Sequence, residues 1–208
     1  FEEKEGMRKA ALFLQRYGIS NTFGVKIYKE YGERMYEVIK ENPYKLAEDI
    51  SGIGFKLADE IATRVGIGVT SDYRIKAAIL YVLLQASGSG HVYLPEDVLV
   101  SKTLELLAIT MDSLDRHITD LAMERKIMIR EINGKKAIYS SALYYMELNI
   151  AKMLYDLNKK YNFTISEIEK RLVSVEKQFK IELAELQRTA LIEAARNGIL
   201  ILTGGPGT

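Results

Sequence analysis

The sequence predicts a mainly α-helical fold that changes character only near its end, and three observations predict it. Amphipathic stretches separated by short glycine turns fill roughly residues 1–70, and Gly18-Ile19-Ser20 recurs 34 residues later as Gly52-Ile53-Gly54. Three further helical stretches over about 71–145 lead into two alternating strands around Asn133-Gly134. A last helical region within 146–208 runs into Ile199-Leu200-Ile201-Leu202 and a glycine-rich turn, the order in which an α/β nucleotide-binding domain opens.

In the first region, "RKAALFLQRYGIS" places Leu12, Leu14 and Tyr17 near helical spacing and stops at Gly18. "NTFGVKIYKEYG" starts the next helix, with Asn21 as the expected cap. Pro43 suits the first turn of another, and after Ser51-Gly52-Ile53-Gly54 a helix is expected from Phe55 to about Val65. In the second region "DYRIKAAILYVLLQAS" is apolar on one face, and "GHVYLP" reads as a short extended link. "EDVLVSKTLELLA" and "TMDSLDRHITDLAMERK" follow as helices, the latter with Thr110 as its expected cap. Three helices and a hairpin make a winged-helix-like arrangement. "ALYYMELNIAKMLYDLNKKY" is then a long helix leading out, and "VEKQFKIELAELQRTALIEAARNG" gives one or two more before Asn197-Gly198.

Composition narrows the function classes. The 208 residues hold 29 basic and 28 acidic side chains, a formal charge of +1. Residues 1–70 carry 11 of each sign and residues 71–145 carry nine of each, so no region is a plain electrostatic footprint for nucleic acid. Local phosphate contacts remain open, because they depend on where charges sit. There is no cysteine, and His91 and His117 lie far apart, which offers no disulfide framework and no metal spacing. No apolar run approaches the ~20 residues of a membrane span. The opening "FEEKEGMRKA" does not read as a signal peptide, and the chain is expected to be an intracellular piece of something longer.

The glycine turns carry the first candidate chemistry. A Gly-apolar-Gly turn between two helices exposes free amides at the second helix's N-terminus. With the positive end of the helix dipole, those amides can hold a DNA phosphate without reading a base. Ile53 would point inward and lock the helices, and Lys56 would add a charge to the phosphate held by Gly52 and Gly54. "ISGIGFKLADEIA" matches such a helix-hairpin-helix motif well. Gly18, Ile19 and Ser20 form a weaker copy, because Ser20 replaces the second glycine. Turns that merely join packed helices stand as the alternative. In the winged-helix-like segment, Asp112, Asp115, Asp120 and Glu124 on the third helix would repel phosphates, which leaves Lys135 and Lys136 in the wing better placed.

The end of the chain carries the second. A phosphate-binding loop reads G-x-x-x-x-G-K-[ST]. Gly204 supplies its first glycine, and Gly205, Pro206, Gly207 and Thr208 its variable positions, so the sequence is expected to stop inside the motif. Gln187, on the preceding helix, could hold adenine through its two-sided amide. Taken alone it reads as a solvated helical residue.

The order of these parts resembles the N-terminal region of the bacterial RecD-like (RecD/TraA) ATP-dependent DNA helicases. The resemblance rests on "YGIS…VKIYKEYG", "ENPYKLAEDISGIGFKLADEIA", "GHVYLP" and "LQRTALIEAARNGILILTGGPGT". It implies tandem helix-hairpin-helix repeats, a winged-helix-like segment and the start of a P-loop ATPase motor of superfamily 1. It further implies 5′-to-3′ translocation on single-stranded DNA, driven by ATP and Mg²⁺, in cytoplasmic DNA repair or recombination. These 208 residues alone, without the loop lysine, are expected to hold no catalytic or metal-binding residue, to bind no nucleotide and to be inactive. The alternative is a non-enzymatic helix-hairpin-helix adaptor that binds DNA or docks a protein.

Overall fold

The computed structural model describes residues 2–205, which divide into two compact units meeting in sequence between Tyr144 and Tyr145. Pro206, Gly207 and Thr208 lie outside the described residues.

The first unit begins with α1 (Glu2–Arg16), α2 (Asn21–Tyr31), a 3₁₀ turn at Gly32–Arg34, α3 (Met35–Glu41), α4 (Lys45–Asp49) and α5 (Phe55–Val65). α1 ends where Gly18 takes a φ of 74°, so that Ile19 N–H reaches back to the Leu14 carbonyl and Gly18 N–H to that of Gln15. This double closure needs a left-handed residue, which glycine supplies without strain. Ala10, Leu14, Ile19, Ile27, Met35, Ile39, Leu46, Ile50, Ile53 and Ile61 form one core. Ser20 rather than Asn21 is the N-cap of α2, its Oγ accepting from Phe23 N–H at 3.5 Å. Asn21 is instead held by Gln15 Nε2 at 2.9 Å.

α6 (Asp72–Gly88), β1 (Tyr93–Pro95), α7 (Glu96–Leu107), α8 (Asp115–Met123), β2 (Ile127–Ile132) and β3 (Lys135–Ser140) follow. Three helices and a two-residue turn, with Asn133 and Gly134 both at positive φ, give the expected hairpin. "GHVYLP" is more than a link: its Tyr93–Pro95 pairs antiparallel with β3, making a three-stranded sheet of order β1-β3-β2. Thr110 does not cap α8, which starts five residues later with Ser113 Oγ accepting from Asp115 N–H at 3.0 Å. The core under this sheet includes Ile75, Ile79, Leu99, Ile118, Leu121, Ile127 and Ile138, and it takes Phe55, Ala58 and Ala62 from α5. α5 therefore supplies both cores, with Ile61 facing the other way. The two meet again at a half-buried cluster, where Asp59 of α5 accepts from Arg74 Nε at 2.8 Å, Arg74 Nη2 at 2.9 Å and the Tyr44 hydroxyl at 2.6 Å. Arg74 also donates to the carbonyls of Val69 and Leu107.

α9 (Ser141–Leu157) leads from the first unit into the second, which continues with α10 (Ile165–Phe179) and α11 (Glu185–Arg196). Thr164 and Glu167 close a capping box on α10. Glu176 then joins α10 to α11, accepting from Leu183 N–H at 3.0 Å and pairing with Arg188 at 2.6 Å. Leu172 is the one buried side chain of this unit among the described residues. The expected strand at 199–202 is not formed: Ile201 is 83% exposed and residues 199–205 have no helix or strand. A strand is held by its ladder, and among the described residues no strand pairs with this segment. Leu186 and Leu191 of the preceding helix α11 are exposed as well. No helix among the described residues is long and apolar enough to cross a membrane.

Candidate nucleic-acid interface

The two glycine turns are built differently, and the difference sets how many backbone donors each leaves open. In the second, Gly52 has a φ of 97° and Ile53 N–H bonds back to the Ile50 carbonyl at 3.0 Å, turning the chain so that Ile53 sinks into the core with 4% exposure. Gly54 follows as N-cap of α5 with extended backbone, and it has no side chain to cap with. The first bond closing the helix runs from Ala58 N–H to the Gly54 carbonyl. The amides of Phe55, Lys56 and Leu57 are thus left without an acceptor within the helix, at its positive end. Gly54 and Lys56 are exposed, and a Cβ at Gly54 would meet nothing within 4 Å. An anion can approach this backbone closely.

The first turn also puts its apolar residue inside, but its donors are partly used. Ile19 is buried at 2% exposure, as Ile53 is, while Gly18 and Ser20 are exposed. Ser20 Oγ already accepts the Phe23 amide, so one of the three donors is occupied by the chain itself.

The turns also support each other. Lys26 of α2 donates Nζ to the Ser51 carbonyl at 2.9 Å, and Phe23 lies against Gly52, where an added Cβ would come within 3.2 Å of its ring. In return, Arg64 of α5 lies against Gly18 so closely that a side chain there would displace its guanidinium. Each turn therefore has a cation from the other helix pair at its backbone. Sequence reasoning missed Lys26 and Arg64, because the 34-residue offset sets Lys26 opposite Glu60 and Glu30 opposite Arg64. No repeated signal marked them.

The winged-helix-like segment offers less. Glu124, the C-cap of α8, and Asp120 within it are turned to Lys76 of α6 at 2.8 and 3.1 Å, and their contact raises the Lys76 ammonium above its ordinary pKa. Lys136, expected to be available in the wing, is paired with Glu96 at 3.0 Å, while Lys135 is exposed at the turn. His117 is buried, with Nε2 on Asp72 at 3.0 Å, and the hydrogen bond from His117 holds that carboxyl below its ordinary value.

Of the residues expected at an ATP site, Gln187 stands third in α11, where its Oε1 accepts the Ala184 amide at 3.0 Å. One of the two lone pairs of its amide oxygen is thus used at the start of its own helix. Gly204 and Gly205 lie in the exposed, irregular segment beyond.

Both glycine turns, the reciprocal contacts between them and the whole of α6 fall inside a stretch that matches a known family. Residues 3–93, ending at the first residue of β1, match the family described as the ATP-dependent RecD2 DNA helicase HHH domain, a helix-hairpin-helix domain.

Proposed function

We propose that this chain is the N-terminal DNA-handling segment of an ATP-dependent helicase of superfamily 1 moving 5′ to 3′ in DNA repair or recombination. The carrying observation is the uncapped start of α5 behind Gly54, inside a stretch that matches a helicase helix-hairpin-helix domain. Gly52, Ile53, Gly54 and Lys56 grip a phosphate of either strand, with the amides as donors and Lys56 as the charge. Gly18, Ile19 and Ser20 give a second, weaker hold. Contacts of this kind fix position and carry no sequence information.

Gln187 and residues 204–208 are proposed to begin the ATP site of the parent protein. The residues fit adenine and phosphate in kind: an amide that can donate and accept, and glycines without side chains. They include no cation for the β- and γ-phosphates, so Mg²⁺ binding and hydrolysis belong to other residues. This chain by itself is expected to show no ATP hydrolysis.

Anisotropy of a labelled DNA fork at two salt concentrations tests the grip. Gly54→Ala has room for its Cβ. It is expected to leave the melting temperature nearly unchanged and to weaken binding severalfold. Lys56→Ala should weaken binding and reduce the salt slope by about one. Binding unaffected by both substitutions rejects the reading. The balanced charge of residues 1–70 favours a second reading, a protein-docking module, which predicts no salt-sensitive fork binding at all.

A further inference from the structure

Beside the second turn, the first unit has an open trough of about 1000 Å³ between α6, β1 and α7. Its floor is apolar and aromatic, with Tyr81, Val82, Tyr93, Leu94, Val98 and Leu106. Its rim carries Lys56, His91 and Lys102 against a single acid, Glu105. Among the described residues neither Lys56 nor Lys102 has an ion-pair partner. Lys56 belongs to both places, since it stands in the first turn of α5 and lines the trough. A row of stacked rings makes the same connection: Tyr44 on Phe55 at 5.9 Å and Phe55 on Tyr81 at 5.3 Å.

A basic rim over an apolar floor suits a molecule with a flat apolar face and negative charges at its edges. Bases stacked in a duplex show only their edges, whereas an unpaired base can lay its face on a side chain. Sites for small ligands run to roughly 300–1,000 Å³, so the trough can hold a base with its sugar and phosphate. We propose that it seats an unpaired base of single-stranded DNA, with Lys56 and Lys102 holding phosphates on either side. This inference rests on the reading of Gly54–Lys56 as a phosphate grip. It adds strand preference to that grip: the segment holds a melted strand where the turn alone would hold any backbone.

The test measures anisotropy with three labelled probes: a 15-residue oligothymidine, the same strand with abasic positions, and a duplex. Val98→Trp fills the floor, and Lys102→Glu reverses the rim at an exposed position where folding is not at stake. The unaltered chain is expected to bind oligothymidine about tenfold tighter than the abasic strand. Each substitution should lower oligothymidine affinity severalfold and leave the duplex within twofold. Equal binding of the intact and abasic strands, or no effect of either substitution on oligothymidine, overturns the proposal. An oligoglutamate peptide whose binding alone is lost in Val98→Trp would assign the trough to an acidic peptide and also overturn it. Gly54→Ala, at a residue outside the trough lining, separates the two levels. If it weakens duplex binding while the trough variants change nothing, only the trough proposal falls. If it and Lys56→Ala both change nothing, the grip falls as well.

Discussion

Arg74 sits where three stretches of chain need the same donor set. Its guanidinium meets the Asp59 carboxylate with two nitrogens and reaches the carbonyls of Val69 and Leu107, and Tyr44 completes the carboxylate's coordination. Burial alone would raise the Asp59 carboxyl, but the hydrogen bonds from Arg74 and Tyr44 and the guanidinium charge outweigh it and hold it below its ordinary value. Burial and the neighbouring carboxylate push the Tyr44 phenol well above its own. A carboxyl depressed by folding stabilises the folded state above its unfolded pKa, near 4, and that stability is lost as pH falls through the lower folded value. Thermal melts should therefore show acid loss below about pH 4 that is smaller in Asp59→Asn, which starts from lower stability at neutral pH. Arg74→Ala leaves a half-buried carboxylate unpaired, for which a cost of about 2–3 kcal/mol is expected. At this chain length that lowers the melting temperature by about 5–10 °C. None of this cluster was legible in the sequence. Asp59 and Arg74 are 15 residues apart across a loop, and only the packing of α5 on α6 makes them neighbours. Ile53, by contrast, was legible, because a lone apolar residue between two glycines at a helical turn has one place to go.

Among the elements, those closed by local bonds were readable and those closed by distant partners were not. α5 runs over Phe55–Val65 as its glycine boundaries required, and the Asn133-Gly134 turn fixed β2 and β3. β1 was read as a link because its ladder lies with β3, more than 40 residues away in the chain. The apolar run at 199–202 failed the other way, with strand composition and, among the described residues, no strand beside it. The caps of α2 and α8 were each misplaced, since several neighbouring Ser, Thr and Asn residues compete for one position. In the second unit, Gly198 packs against Leu157 so that a side chain there would overlap the Leu157 carbonyl. The neighbouring bonds hold the end of α11 to the chain after α9: Lys160 bridges Asn197, and Tyr161 N–H donates to the Arg196 carbonyl at 2.9 Å. Gly198→Ala is expected to open this bridge, read as faster hydrogen exchange at the Tyr161 amide with the exchange of β2 and β3 unchanged.

At the scale of the molecule, both hydrophobic cores lie in the first unit, while the second has Leu172 as its one buried side chain among the described residues. A chain ending after Leu148 is thus expected to keep the melting temperature of the first unit within a few degrees, in a single calorimetric transition. Two transitions would mean that the cores unfold separately. The near-neutral charge of the chain was legible from the start, and so was its helical character. How two regions that read as separate in sequence share one helix was not, because Phe55, Ala58, Ile61 and Ala62 look like one amphipathic stripe until both sides of it find partners.

That shared helix also has a mechanical meaning. If DNA is held at the first turn of α5, a pull along the strand acts on the end of a rod anchored on two sides, by Ile61 in one core and by Phe55, Ala58 and Ala62 in the other. Tension would have to shear both at once before the rod could slip, and Asp59, midway along it, ties it to α6 as well. A grip fixed in this way yields late and all together.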